Sequence, residues 1–195
     1  MLSATLKQLI DTVPLPLIDG HAPFVAWLKF AHGIMQSSVP LMEFAATKAG
    51  GELRDYLREH AAEERQHATW MAEDIAKLGE TLPRFDHAVA ATAGAQYYYL
   101  QHVGPHALLG YMAAMEFRPM PMAHVEALAR IYGEDVIRTL RLHAVSDVEH
   151  GKALARVIDQ HEAHADIICY SAFCTAKMLQ FYLNERIKVP HGPVH

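Results

Sequence analysis

His60-Ala-Ala-Glu-Glu64-Arg-Gln-His67 and His143-Ala-Val-Ser-Asp147-Val-Glu-His150 spell one pattern twice, a histidine, an acid four residues on, and a second histidine three residues after that. At about 100° per residue, positions i, i+4 and i+7 of an α-helix fall on one narrow stripe. Each stretch therefore predicts a helix that presents two imidazoles and a carboxylate in one direction. Coincidence is a weak explanation: with 14 His and 22 Asp+Glu in 195 residues, one copy arises by chance with probability of roughly 0.1 and two with about 0.005. The competing reading, solvated polar faces or structural histidines inside a bundle, has the same spacing and differs only in where the side chains point.

Outward from these stretches, apolar residues recur at three- and four-residue intervals almost throughout, and no segment alternates long enough to predict a strand. The reading is an all-α, compact bundle of seven to eight helices. A first helix near Ser3 to Thr12 is stopped by Pro14 and Pro16, and Asp19-Gly20 marks a turn. A second runs from Ala22–Phe24 towards Lys48, kinked or split by Pro40 and ended by Gly50-Gly51. The first triad lies on one long helix from Glu52 to Leu78, with Gly79 at the left-handed C-terminal position. Further helices are expected at Asp86–His102, Pro105–Phe117, Pro119 or Pro121 to Gly133, Glu134–His161 with the second triad, and Ala165–Ile187. One domain is expected over residues 1–188, followed by a loose Pro/Gly/His-rich tail, 189–195.

A net charge of −5 with no Lys/Arg cluster excludes a nucleic-acid-binding surface as the expected role. The first residues lack the basic and apolar regions of a signal peptide, and no apolar run reaches bilayer length. Cys169 and Cys174 fit neither a metal motif nor a disulfide framework and read as small buried residues. A cytoplasmic protein without membrane contact is the expectation, with a homodimer as the default assembly.

Metal sites in helical bundles combine acid-x-x-His pairs on two helices with lone acids on two others. Glu64-x-x-His67 and Asp147-x-x-His150 supply the pairs. Glu116, within Met112-Ala-Ala-Met115-Glu116-Phe, and Glu43, within Leu41-Met-Glu43-Phe, are candidates for the lone acids, since an isolated charge in an apolar stretch costs several kcal/mol to bury unless paired or coordinated. His60 and His143 lie one turn before the acids. The candidate ligands are thus His60, Glu64, His67, Glu116, His143, Asp147 and His150. Mixed imidazole and carboxylate donors suit iron first, with manganese or zinc as alternatives. Glu63 points about 100° away from Glu64 and reads as a solvated or supporting acid. His102, His106 and His124 read as surface residues, and Tyr97–Tyr99, Tyr111, Tyr170, Phe173 and Phe181 as core packing in preference to a substrate pocket.

The order of these motifs resembles the heme-oxygenase-like diiron oxidase superfamily, which shares its fold with heme oxygenases, the thiaminase-type TenA proteins and the pyrroloquinoline quinone synthase. The resemblance spans residues 40–160 and rests on His143, Asp147 and His150, with Glu116 and His67 in support. It implies a seven-to-eight-helix fold, a dinuclear iron site, and O2 activation for the oxidation of a small organic molecule. Some members carry an acid as at Glu64; others place a glutamate seven residues before the earlier histidine, where this chain has His60. Either Glu64 or His60 is then the first-helix ligand, and the site is mononuclear or dinuclear. The glycine-rich segment of heme oxygenases is missing, and no cysteine is placed as in the thiaminase-type branch.

The expected function is a non-heme di-iron oxidase or oxygenase, with two iron ions, O2 and a small organic substrate. A non-catalytic metal-binding or regulatory protein of the same fold is the alternative. Short connections argue against a ferritin-like bundle, which needs a long crossover.

Overall fold

The computed structural model describes residues 1–15, 18 and 20–188, with side chains through Glu185. Pro16, Asp19 and the tail at 189–195, to which the sequence assigns a stop, a turn and a loose end, lie outside the described residues. Among the described residues the secondary structure is helical, in the order α1 (Leu2–Asp11), α2 (His21–Lys48), α3 (Gly51–Glu64), α4 (His67–Lys77), α5 (His87–His102), α6 (Ala107–Glu116), α7 (Met122–Tyr132), α8 (Glu134–Gln160) and α9 (Ala165–Lys188), with a 3-10 turn at Glu162–His164.

The punctuation of the sequence sets most of these ends. Asp86 caps α5 by accepting from the backbone N–H groups of Ala88 and Val89. Gly79 and Gly133 adopt φ of 73° and 90°, a conformation that favours glycine, after α4 and between α7 and α8. Pro40 lies inside α2 without dividing it. The single helix expected from Glu52 to Leu78 is instead two, α3 and α4, broken at Arg65-Gln66. Neither residue is a helix breaker, so local propensity is overridden by tertiary pairing: Arg65 reaches back to Glu43 on α2 at 2.9 Å, while Glu64 and His67 turn towards each other inside.

Helix α6 is the hub. Ala107 through Ala114 are all buried, as a helix apolar on every side must be. It packs on α9, α8, α5 and α2, and the approach to α9 depends on Gly110: a Cβ there would stand 2.1 Å from the carbonyl oxygen of Ile168 and 2.7 Å from the amide of Ala172. The principal core joins α1, α2, α3, α5, α6, the C-terminal half of α8, and α9. A second cluster joins the start of α2 to α4, α7 and the first half of α8 around Phe24, Met71, Ile137 and Leu140.

Asp74 of α4 is fully buried and ties α4 to α8, accepting from the amide and hydroxyl of Thr139 at 2.9 and 2.5 Å and pairing with Arg138 and Lys77. It fixes the helix that begins with His67 relative to α8, which carries the second triad.

The aromatic residues correct the sequence reading in part. Tyr111 is core, but Tyr97, Tyr98, Tyr170, Phe173 and Phe181 are exposed along α5 and α9. Helical spacing identifies a shared face without saying what covers it. Cys169 and Cys174 are free and half-buried. No helix among the described residues is long and apolar enough to cross a membrane.

Candidate metal centre

Helices α3, α4, α6 and α8 bring His60, Glu64, His67, Glu116, His143, Asp147 and His150 together in the interior. Their side chains are only 5–19 % exposed. The grouping crosses the two sequence motifs. His60, Glu116 and His150 form one set whose donor atoms lie within 4.8 Å of one another; Glu64, His67 and His143 form a second. Each set draws one imidazole from the first triad and one from the second.

In the first set, His60 Nε2 lies 3.1 Å from Glu116 Oε1, and the His60 and His150 rings meet edge to face at 4.5 Å. In the second, His67 Nδ1 lies 2.6 Å from Glu64 Oε2, His143 Nε2 lies 3.8 Å from the same oxygen, and the His67 and His143 rings meet at 4.7 Å. Two carboxylates join the sets. Glu64 turns its other oxygen to His150 Nδ1 at 3.6 Å, and Asp147 Oδ1 lies 3.1 Å from His143 Nδ1 and 3.9 Å from His150 Nδ1. The break between α3 and α4 bears on this arrangement, since Glu64 ends one helix and His67 begins the next.

Among the side chains alone, burial and charge compete. Burial pushes the Glu116 carboxyl above its ordinary range despite the bond to His60. For Glu64 burial acts the same way but is outweighed by the bond to His67 and the charges of His143, His67 and His60, leaving its pKa lowered. His60 and His143 are raised: burial opposes their charge, but Glu116 in one case and Asp147 in the other prevail.

The balance leaves atoms unused. Glu64 Oε1, Glu116 Oε2, His143 Nε2 and His150 Nδ1 are all buried without a hydrogen-bond partner. A buried polar atom left unpaired costs on the order of 1–3 kcal/mol, so four in one place call for an occupant. They include donors from both sets, and their chemistry, imidazole nitrogen and carboxylate oxygen, fits a pair of divalent transition metals.

Glu43 does not join them. Its carboxylate is half exposed and paired with Arg65, which removes it from the ligand set; the apolar residues around it face the core while Glu43 itself faces out. Glu63 is mostly exposed but reaches His150 Nε2 at 3.3 Å, a supporting position consistent with its sequence reading. Tyr56, with a buried, unpartnered hydroxyl and its ring 5.7 Å from that of His60, escaped sequence reasoning. Burial, and then the charges of Glu116, Glu63 and Glu64, raise its pKa. Its position one turn before His60 is the signal that could have found it.

A cavity of about 580 Å³ opens onto this cluster, touching His60, Glu64, Glu116, His143 and Asp147. Its walls are mainly Met, Leu, Ile and aromatic side chains, including Trp27, Phe30, Met112, Met115 and Leu179. Its size lies within the range of small-molecule sites. His124, read from sequence as a surface residue, contributes to the wall, as does Tyr111. Tyr111 donates to Ser38 Oγ at 3.1 Å, because the Ser38 proton is already given to the carbonyl of Ile34; burial pushes the Tyr111 pKa up to about 12.

No family model and no curated protein matches the sequence. The structure is similar to a crystal structure of a domain of unknown function with a heme oxygenase-like fold from Shewanella denitrificans, with a TM-score of 0.73, 12% identity, and coverage of 95% of this chain and 88% of that one. The chain thus has the heme oxygenase-like fold, as the order of its motifs leads one to expect.

Proposed function

We propose that this protein is a non-heme, dinuclear-iron oxidase that activates O2 to oxidise a small organic substrate. The observation that carries the reading is the set of unpartnered, buried donors, Glu64 Oε1, Glu116 Oε2, His143 Nε2 and His150 Nδ1, of which Glu64, Glu116 and His143 also border an apolar cavity. His60, Glu116 and His150 would hold one ion and Glu64, His67 and His143 the other, with Asp147 between His143 and His150. Two ferrous ions held there would supply electrons and open coordination positions for O2.

The chain's own residues do the rest. The imidazoles must be neutral to ligate, so the acids that raise the pKa of His60 and His143, Glu116 and Asp147, make metal uptake by these two histidines pH-dependent. The mainly apolar cavity walls would pack an organic body against the cluster. Tyr111, fixed by Ser38, keeps its proton at the wall.

Anaerobic loading with ferrous iron, followed by metal analysis, is expected to give two ions per chain, falling to one or none in His143→Ala and Asp147→Ala. Unchanged stoichiometry in both variants would refute the assignment. Oxygen-electrode traces with the loaded protein and a metabolite panel then separate an oxidase, which shows substrate-accelerated O2 loss, from a metal-binding module, which takes up metal and shows none. Parallel loading with manganese and zinc tests the choice of iron.

A further inference from the structure

The cavity has a second polar feature, apart from the donor cluster. Arg118 follows Glu116 by two residues, in Phe117-Arg118-Pro119 between α6 and α7, and is part of the cavity wall. Its Nη1 donates to the carbonyl of Val13 at 2.7 Å. Its Nε and Nη2 are buried and have no hydrogen-bond partner. Burial lowers its pKa, opposed by the charge of Asp11, yet a guanidinium remains protonated throughout the working range of a protein.

Arg118 as a whole is half-buried, but two covered donors left idle are costly. The neighbouring carbonyl of Phe117 accepts from Lys7 Nζ at 2.8 Å and does not serve the idle donors. The idle pair is also specific in shape. Nε and Nη2 form one edge of the planar group, two parallel N–H donors spaced to meet both oxygens of a carboxylate. The bond to Val13 holds the opposite side and so presents this edge as a unit. A single guanidinium edge with two donors matches one planar carboxylate. The rest of the wall around Trp27, Phe30, Met112 and Leu183 asks for an apolar body.

We infer that Arg118 anchors the carboxylate of the molecule that enters this cavity, and that the ligand is an amphipathic monocarboxylic acid whose apolar body lies between Arg118 and the His/Glu/Asp cluster. The inference rests on the reading of the cavity as the substrate chamber of that cluster, and it supplies the substrate class. The edge is covered, so a ligand must part the wall at Arg118 to reach it, a side-chain movement common on binding.

Binding is measured by calorimetry on the full chain, stripped of metal with EDTA so that no carboxylate can be held by iron. The probes are octanoate and 4-phenylbutyrate against 1-octanol and 4-phenyl-1-butanol, which keep each body and remove the charge. At least one acid is expected to bind tenfold or more tightly than its alcohol. Arg118→Gln is expected to abolish that preference by weakening the acid at least tenfold while leaving the alcohol unchanged, and Arg118→Lys to restore part of it. Equal affinities of acid and alcohol in the unaltered protein would overturn the inference, and this comparison needs no variant to fold. A folded Arg118→Gln protein that retains the preference would overturn it as well. If the chain takes up no ferrous iron, the oxidase reading fails while the acid preference is measured independently.

Discussion

Glu116 shows how a single position can be unfavourable for the folded chain and still belong there. Its carboxyl is buried, has one bond, to His60, and keeps an unpartnered oxygen. Because burial raises its pKa above the unfolded value, this group binds its proton more tightly when folded, and its contribution to stability declines as pH rises above about 4.5. Glu116→Gln is therefore expected to melt at the same or a higher temperature than the metal-free parent at pH 7.5, while binding fewer ferrous ions. Melting curves and metal analysis of the two proteins check both halves, and a variant that lost stability yet kept two ions would contradict the role. The sequence made the triad residues legible because helical spacing fixes which side chains share a direction. It also flagged Glu116 as a lone charge among apolar neighbours, but the same signal at Glu43 failed, because that helix turns the position outward to Arg65. Arg118 carries the same kind of signal between Phe117 and Pro119 and was not singled out by the sequence reading.

Helix boundaries were readable because Pro, Gly and Asp act locally through φ restriction and capping. The break at Arg65-Gln66 was not, since its cause is a pairing across space. The close approach of α6 and α9 is likewise invisible in the sequence, where Gly110 looks like an ordinary helix interruption. With backbone atoms of α9 at 2.1 and 2.7 Å from its missing Cβ, Gly110→Ala must push two helices apart, at a cost of about 3 kcal/mol or more. Urea denaturation measures it, and a loss under 1 kcal/mol would show that the contact yields. A different contact joins the start of α6 to the turn before α9, where His106 stacks on His164 at 3.5 Å with His161 at 4.9 Å. Burial, and then the charges of His164 and His161, lower the His106 pKa to about 4. A histidine depressed in the folded state gives stability that is present above its unfolded pKa and lost as pH falls from about 6.5 towards 4. Lowering the pH from 7 to 4.5 should therefore reduce the melting temperature more in the parent than in His106→Gln; parallel loss would remove this cluster as the cause.

For the whole molecule, periodicity without strand alternation sufficed for the fold class, and the order of the motifs for the architecture; the crossing of the two triads became visible only in three dimensions. The exchange of partners between the triads has a last consequence. Since His60 and His150 serve one set while Glu64 and His143 serve the other, neither set survives the local unfolding of α3 or α8 alone. Amide protons of α3 and α8 should accordingly exchange with solvent as one block, protected or released together, however far apart the two helices lie along the chain.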